Sequence, residues 1–174
     1  MSSSTAPSTG RLATAFLNEL ENEAKVTRSC LERVPADKVA WVPHAKSMHL
    51  GRLAMHVATI PGRLSQWVLA DEFQFAPNPT PEPKSADEIV AAHDASIAEA
   101  KKNLTTVGDA GLPTMWTGKR EGKTLMSMPK GALVRSLVLN HWFHHRGQLS
   151  VYLRLLDVPV PSIYGPSADE NPFA

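Results

Sequence analysis

The sequence predicts an all-α protein built as a four-helix bundle, with a long crossover before the fourth helix. Four segments repeat apolar residues at the three- and four-residue spacing of an amphipathic helix, and prolines and glycines separate these segments. The 174 residues suffice for one domain with a sizeable core. We therefore assign residues 10–174 to a single domain and residues 1–9 to a disordered N-terminal tail.

The first two helices are predicted over residues 11–33 and residues 48–70. Pro35 follows the first helix and cannot continue it. Ser47 precedes the second and is a typical N-cap residue. Each segment carries an apolar stripe at helical spacing, formed by Leu12, Phe16, Leu20 and Ala24 in the first and by Leu53, His56 and Ile60 in the second.

The third helix is predicted over residues 86–107, after a proline-rich extended connection at residues 75–84. Ser85 and Glu88 form a capping box, in which the serine hydroxyl accepts a hydrogen bond from the backbone N–H of the glutamate. This motif marks the start of the helix.

A long crossover at residues 108–128 leads to the fourth helix. Residues 114–117 and 123–126 alternate in a strand-like pattern around a glycine-containing loop, which predicts a small β-hairpin. The fourth helix is predicted from Pro129 to about Leu156, and two further prolines stop it.

Composition excludes several classes of protein. The 18 basic and 17 acidic residues nearly balance, so there is no electrostatic case for nucleic acid or an anionic membrane as a partner. No apolar run reaches the roughly 18 residues of a membrane span, and the polar N-terminus does not resemble a signal peptide. The expected location is the cytoplasm. The single cysteine, Cys30, excludes an internal disulfide and is expected to be a small buried apolar residue.

The densest chemical signal lies on the fourth helix, where His141 and His145 are four residues apart. This spacing puts both imidazoles on one helix face, close enough to bind one metal ion. The alternative is a pair of buried histidines that hydrogen-bond to the backbone or to each other. His144 lies between them on another face and is expected to point elsewhere.

A third ligand is needed, and His56 on the apolar face of the second helix is the best candidate. His49 shares that face but lies seven residues earlier, about 10 Å along the axis, so one ion cannot easily bind both. The alternative for His56 is a core histidine that hydrogen-bonds to a neighbour.

Other residues are candidates for the surroundings of the site. Gln148 and Tyr152 follow the histidine pair by one and two turns and can line the cavity, and Gln148 can orient a ligand. His93 lies among alanines on the third helix and can line the same cavity or serve structure alone. Trp116 can wall a substrate pocket or simply pack. Gly147 is costly in a helix, which a close helix–helix approach would explain.

Three segments resemble the DinB family, including its YfiT-like members. They are Met48-His49-Leu50-Gly51-Arg52-Leu53-Ala54-Met55-His56, the stretch His141-Trp142-Phe143-His144-His145-Arg146-Gly147-Gln148-Leu149, and the segment at residues 158–167. The resemblance covers nearly the whole chain. It implies an up-down four-helix bundle, often a homodimer, with a divalent metal, zinc or nickel, bound by His56, His141 and His145. Some relatives transfer low-molecular-weight thiols.

Three imidazoles leave open positions on a divalent ion, the pattern of a catalytic rather than a structural site. The leading hypothesis is therefore a metal-dependent enzyme of the thiol S-transferase type, acting on a small-molecule substrate. Two alternatives are a hydrolase that uses metal-bound hydroxide and a non-catalytic metal-binding or stress-related protein. The sequence singles out no general acid or base.

Overall fold

The computed structural model describes residues 10–76, 83 and 85–174. The predicted tail at residues 1–9 and most of the proline-rich connection lie outside the described residues. The described chain is mostly helical, with four helical runs and one small β-sheet. The prediction of an all-α protein is therefore wrong in one respect, because three strands form between the helices.

The first helix, α1, spans Arg11–Leu31, close to the predicted range. Its N-cap, Gly10, has no side chain to accept a hydrogen bond, and Asp109 from the third helix replaces it. The Asp109 carboxylate accepts from the backbone N–H groups of Leu12 at 3.2 Å and Ala13 at 2.7 Å. The start of α1 is thus fixed by a tertiary contact.

The second helix, α2, spans Leu50–Ser65, and a 3₁₀ turn at Gln66–Leu69 continues it. Its N-cap is His49, whose Nδ1 accepts a hydrogen bond from the backbone N–H of Arg52 at 3.2 Å. The prediction of Ser47 as the N-cap is wrong, because Ser47 lies in a turn in which its own N–H donates to the carbonyl of His44.

The sheet has the strand order β1-β2-β3, with β1 at Glu72–Gln74, β2 at Met115–Arg120 and β3 at Lys123–Pro129. Strands β2 and β3 form the predicted hairpin, but they run further and meet at a two-residue turn of Glu121 and Gly122. Both turn residues have positive φ, 49° and 77°, as a type I′ turn requires. Strand β1 pairs parallel to β2 and was not predicted.

The third helix, α3, spans Ala86–Gly111 and begins at the predicted cap, where Ser85 Oγ accepts from the N–H of Glu88 at 3.2 Å. Near its end Gly108 takes a φ of 53°, a left-handed conformation that favours glycine. This residue interrupts the helix close to the predicted end at residue 107.

The fourth helical run contains three consecutive segments: α4 at Lys130–Leu133, a π-helical segment at Val134–Asn140 and α5 at His141–Leu155. The run matches the predicted extent, but the π segment was not predicted. It ends immediately before His141, so it sets the rotation with which α5 presents its histidines. π segments inside helices often lie at functional sites.

One hydrophobic core joins these elements. Helix α3 packs against α1 and α2, and α2 packs against α5. Along α5 the buried residues are Trp142, Arg146, Leu149 and Leu153, so the core face lies one position away from the histidine pair. Among the described residues, no helix has the length and apolar character needed to cross a membrane.

Candidate metal centre

Three half-buried histidines meet where α2 faces α5. His56 comes from α2, and His141 and His145 come from successive turns of α5. One nitrogen atom from each ring lies within 4.8 Å of the other two. The structure therefore brings together the three residues that the sequence selected. Among the described residues, this is the one group of three or more histidine, cysteine or acidic side chains close enough to bind a single ion.

The rings are tightly grouped. The centroid of His56 lies 5.4 Å from that of His141 and 4.5 Å from that of His145, and the latter two are 4.6 Å apart. The Nε2 atoms of His141 and His145 approach to 2.8 Å. Nitrogens bound to one zinc ion at about 2.1 Å each lie up to about 4.2 Å apart. The observed spacing thus needs only small ring movements to suit one ion.

Gln148 orients one of these rings. Its Oε1 lies 2.7 Å from Nδ1 of His145, and an amide oxygen can only accept, so Nδ1 of His145 donates. The neutral ring then has a bare lone pair on Nε2, the atom that faces His141. A hydrogen bond to the far nitrogen of a metal-binding histidine is the usual way of fixing its tautomer.

Electrostatics favour neutral rings. Burial lowers the pKa of His56 to about 4, and the charges of His145, His141, Arg63 and Arg52 act in the same direction. Burial likewise lowers the pKa of His141 and of His145, although Gln148 opposes the shift at His145. Neutral imidazoles at pH 7 have lone pairs available for a cation.

The donor set fits a divalent transition metal. Imidazole nitrogen is a good ligand for zinc and nickel, and the three lone pairs converge without any competing carboxylate in the group. The Nε2 atoms of His141 and His145 lie at hydrogen-bonding distance, 2.8 Å, and a cation bound between them would replace the shared proton. Three ligands also leave at least one position for another molecule.

Two of the other histidines, His49 and His93, were candidates for the surroundings of the site and lie outside this group. His49 caps α2, and its Nδ1 is 3.0 Å from the carbonyl oxygen of Val39. His93 on α3 is 2% exposed, and its Nδ1 lies 3.3 Å from Asp94. Its ring packs against Trp142 with the centroids 6.3 Å apart. Both residues have structural contacts, and neither belongs to the three-histidine group.

The remaining predicted pocket residues have packing roles. The hydroxyl of Tyr152 donates to the carbonyl of Met48 at 3.1 Å, and its ring meets the edge of Trp41. These contacts attach α5 to the loop before α2. Trp116 is fully buried and stacks on Trp67, with centroids 5.7 Å apart. It forms the back of an aromatic cluster rather than a wall of the histidine group.

The sequence did not reveal the environment of Arg146. Its side chain is 1% exposed, and its Nη1 lies 2.6 Å from a carboxylate oxygen of Glu23 on α1. It also donates to Thr27 at 3.1 Å and to the hydroxyl of Tyr164 at 2.6 Å. One sequence signal could have indicated that Arg146 is buried. The residue shares a helix face with the apolar residues Trp142 and Leu149.

Comparison with known proteins decides the family. The model of the DinB family matches residues 1–172. The chain belongs to the DinB family. One relative is the uncharacterized protein YrdA of Bacillus subtilis strain 168, which is 30% identical over 160 residues, or 89% of this chain and 89% of its own.

Two solved DinB-like structures share the fold. One, from Bacillus cereus ATCC 10987, has a TM-score of 0.66 at 24% identity, over 87% of this chain and 97% of its own. The other, YjoA from Bacillus subtilis, has a TM-score of 0.66 at 16% identity, over 86% of this chain and 96% of its own. At these identities the likeness shows the DinB-like fold alone. The predicted family is thus confirmed, together with a mostly helical fold that includes a small sheet.

Proposed function

We propose that this protein is a metal-dependent enzyme of the thiol S-transferase type. His56, His141 and His145 would bind one divalent ion, zinc or nickel. The observation that supports the proposal is the convergence of three half-buried, neutral imidazoles from two facing helices, with no carboxylate among them. Such a set binds an ion and leaves room for a reactant.

The ion, when bound, supplies Lewis acidity that lowers the pKa of a thiol or of water at an open position. The protein's own side chains do the rest. Gln148 holds the His145 ring in the tautomer with a free Nε2. The half-exposed rings leave a path for small molecules from solvent.

A thiol suits this site better than water. Among the described residues, no aspartate or glutamate belongs to the three-histidine group, so the group offers no adjacent carboxylate as a general base. A free thiol with a pKa near 8.5 needs less help in ionising than water does. In the proposed reaction a sulfur–carbon bond forms, the bond to the leaving group breaks, and the thiol proton passes to solvent.

The thiol must come from a second molecule. Cys30 is fully buried, and burial raises its pKa to about 11. A thiol in that state is a poor nucleophile. A low-molecular-weight thiol is therefore the proposed co-substrate. The homodimer expected from the family resemblance is a separate proposal, which sedimentation of the purified protein tests.

Metal binding is tested first. Elemental analysis of protein purified without a histidine tag should find about one equivalent of metal, and His56→Ala and His145→Ala should each remove it. His144→Ala is the matched control, because the His144 ring is exposed and lies outside the three-histidine group. Full occupancy in both ligand variants would reject the site.

Activity is tested on the metal-loaded protein with a panel of bacterial thiols and carbon electrophiles. Thiol consumption should exceed background, stop when a chelator removes the metal, and be absent in His56→Ala. A rate no higher than background across the panel would refute thiol transfer. Ester or amide cleavage that needs no added thiol would instead establish the hydrolase alternative.

A further inference from the structure

The π-helical segment at Val134–Asn140 decides where His141 lies relative to the core. Seven residues of regular α-helix turn through about 700°, so the side chains of Val134 and His141 would share one face in an uninterrupted helix. Val134 is fully buried, whereas His141 is half-buried. A π-helix has more residues in each turn, so each residue rotates less about the axis. The segment therefore moves His141 from the core face to the flank that meets His56.

Trp142 takes the core position instead. Val134, Val138 and Trp142 follow one another at intervals of four residues, and all three are fully buried. Eight residues of regular α-helix would end about 80° away from the starting face. Val134 and Trp142 thus share the core because the π segment lies between them. The same change of helix type puts the indole in the core and the neighbouring imidazole at the metal centre.

The end of the segment also changes the hydrogen bonding of the main chain. In a regular α-helix the backbone N–H of His141 would donate to the carbonyl of Leu137, four residues earlier. Here that N–H donates to the carbonyl of Val138. The carbonyl of Leu137 accepts a hydrogen bond from the side chain of His141. The histidine ring therefore replaces the backbone donor that the change of helix type withdraws from Leu137.

This contact identifies the tautomer of the His141 ring. A carbonyl oxygen can only accept, so the ring nitrogen that faces Leu137 donates. The Nε2 atom of His141 lies 2.8 Å from Nε2 of His145, which leaves Nδ1 as the donor to Leu137. The neutral ring then has its lone pair on Nε2. Gln148 imposes the same tautomer on His145.

We propose that the main-chain carbonyl of Leu137, made available by the π segment, is a positioning group of the metal centre that holds the His141 ring with Nε2 towards the ion. This inference rests on the metal binding in the proposed function and does not depend on the reaction. It gives each ligand on α5 its own outer partner, the Leu137 carbonyl for His141 and the Gln148 amide for His145. Side-chain substitution at Leu137 leaves the carbonyl in place, so the test must alter the main chain.

Nitrogen-15 NMR of the zinc-loaded protein determines which nitrogen of His141 binds the ion. Wild-type protein labelled at its histidines should show Nδ1 of His141 protonated and Nε2 bound to zinc. This is the tautomer that the Leu137 contact imposes. Zinc bound through Nδ1 of His141 would overturn the proposal, because Nδ1 could not then donate to Leu137.

Replacement of Val138 by its α-hydroxy acid analogue converts the amide between Leu137 and Val138 into an ester. An ester carbonyl is a weaker acceptor than an amide carbonyl, so zinc affinity should fall about tenfold, as for the loss of an outer partner of a ligand. Competition with a fluorescent chelator measures the affinity. The Nδ1 proton signal of His141 should also move upfield, because its hydrogen bond weakens.

The same replacement at Val151 is the matched control, because it makes the same ester at an exposed residue of α5 outside the three-histidine group. Zinc affinity should stay near the wild-type value. Equal zinc affinity in wild-type protein and the Val138 ester would overturn the role of Leu137. Circular dichroism verifies the folding of each ester, and the NMR result on wild-type protein decides the proposal independently of both.

The positioning role and the reaction fail separately. Zinc bound through Nε2 of His141, with affinity that the Val138 ester weakens, would support the role of Leu137 even without thiol transfer and would leave only the reaction refuted. Thiol transfer by protein whose zinc is bound through Nδ1 of His141 would refute only the positioning role. Wild-type protein that binds no metal would refute both.

Discussion

Individual side chains at the centre depend on partners outside the ligand set. Gln148 is exposed, yet its amide oxygen lies 2.7 Å from Nδ1 of His145. This contact fixes the orientation of the His145 ring. The hydrogen bond presents the lone pair on Nε2, and loss of such an outer partner weakens metal binding.

Gln148→Ala should therefore reduce metal affinity about 10- to 100-fold without abolishing the site. Competition with a fluorescent chelator measures the change. His144→Ala is the control, because its exposed ring neighbours His145 but lies outside the ligand group. If Gln148→Ala binds metal as tightly as the wild type, the orienting role is wrong.

His93 gives a prediction for pH dependence. Burial lowers the pKa of His93 below its ordinary value of 6.5, although Asp94 opposes this shift. As the pH falls below 6.5, His93 gains a proton in the unfolded chain but not yet in the folded chain. Protonation of the unfolded chain therefore lowers the free energy of unfolding as the pH falls. His93→Gln should make the pH dependence of metal-free protein shallower.

Urea unfolding of both metal-free proteins between pH 7.5 and pH 5 measures this difference. A residual slope is expected, because burial also lowers the pKa of His56, His141 and His145. His144→Gln, an exposed substitution on α5, serves as the comparison. An identical slope in wild-type and His93→Gln protein would contradict the prediction.

Among the elements, the contact of α2 with α3 depends on a glycine. A Cβ at Gly62 would lie 2.9 Å from Cα of Ser96 on α3. Because Cα is a backbone atom, only a shift of the backbone can relieve this overlap. The Gly62 N–H also donates to Ser96 Oγ at 2.8 Å. By contrast, a Cβ at Gly147 would meet nothing within 4 Å. The close helix approach predicted at Gly147 is therefore wrong for contacts within the described chain.

Alanine substitutions at the two glycines should have opposite effects. Gly62→Ala should lower the free energy of unfolding by about 1–3 kcal/mol, because it overpacks the α2–α3 contact. Gly147→Ala should raise it by about 0.5–1 kcal/mol, because alanine favours the helix and has room there. Urea unfolding measures both. Destabilisation by Gly147→Ala would indicate a contact at this position outside the single chain.

Across the whole molecule, Arg146 joins three distant parts of the chain. It connects α5 to α1 through Glu23 and Thr27 and to the C-terminal segment through Tyr164. The hydroxyl of Tyr164 donates in turn to Glu23 at 3.0 Å. Breaking a buried ion pair leaves an uncompensated charge in the interior, which is strongly destabilising.

Arg146→Met should therefore lower the free energy of unfolding by about 3–5 kcal/mol. Arg154→Met is the matched control, because Arg154 pairs with Asp169 at the surface and exposed pairs contribute little. Chemical denaturation compares the variants. A loss for Arg146→Met no larger than that for Arg154→Met would show that the buried network does not join the three parts energetically.

Much of this architecture follows from local signals. Helix periodicity and the Ser85 cap depend on residues within a few positions of each other, so they can be read directly from the chain. The offset of one position between the histidine pair and the buried stripe that begins at Trp142 could not be predicted in this way, because the π segment that precedes α5 has no local signature. Strand β1 was missed since its partners, Thr117–Lys119, lie more than forty residues away.

The sequence by itself determined four helical runs, the hairpin and the identity of the three histidines, since periodicity, turn residues and residue chemistry are local properties. Only the tertiary structure decided how those histidines converge, that Arg146 is buried against Glu23, and that Trp116 stacks on Trp67. These features depend on contacts between residues distant in the chain, which packing fixes and spacing does not.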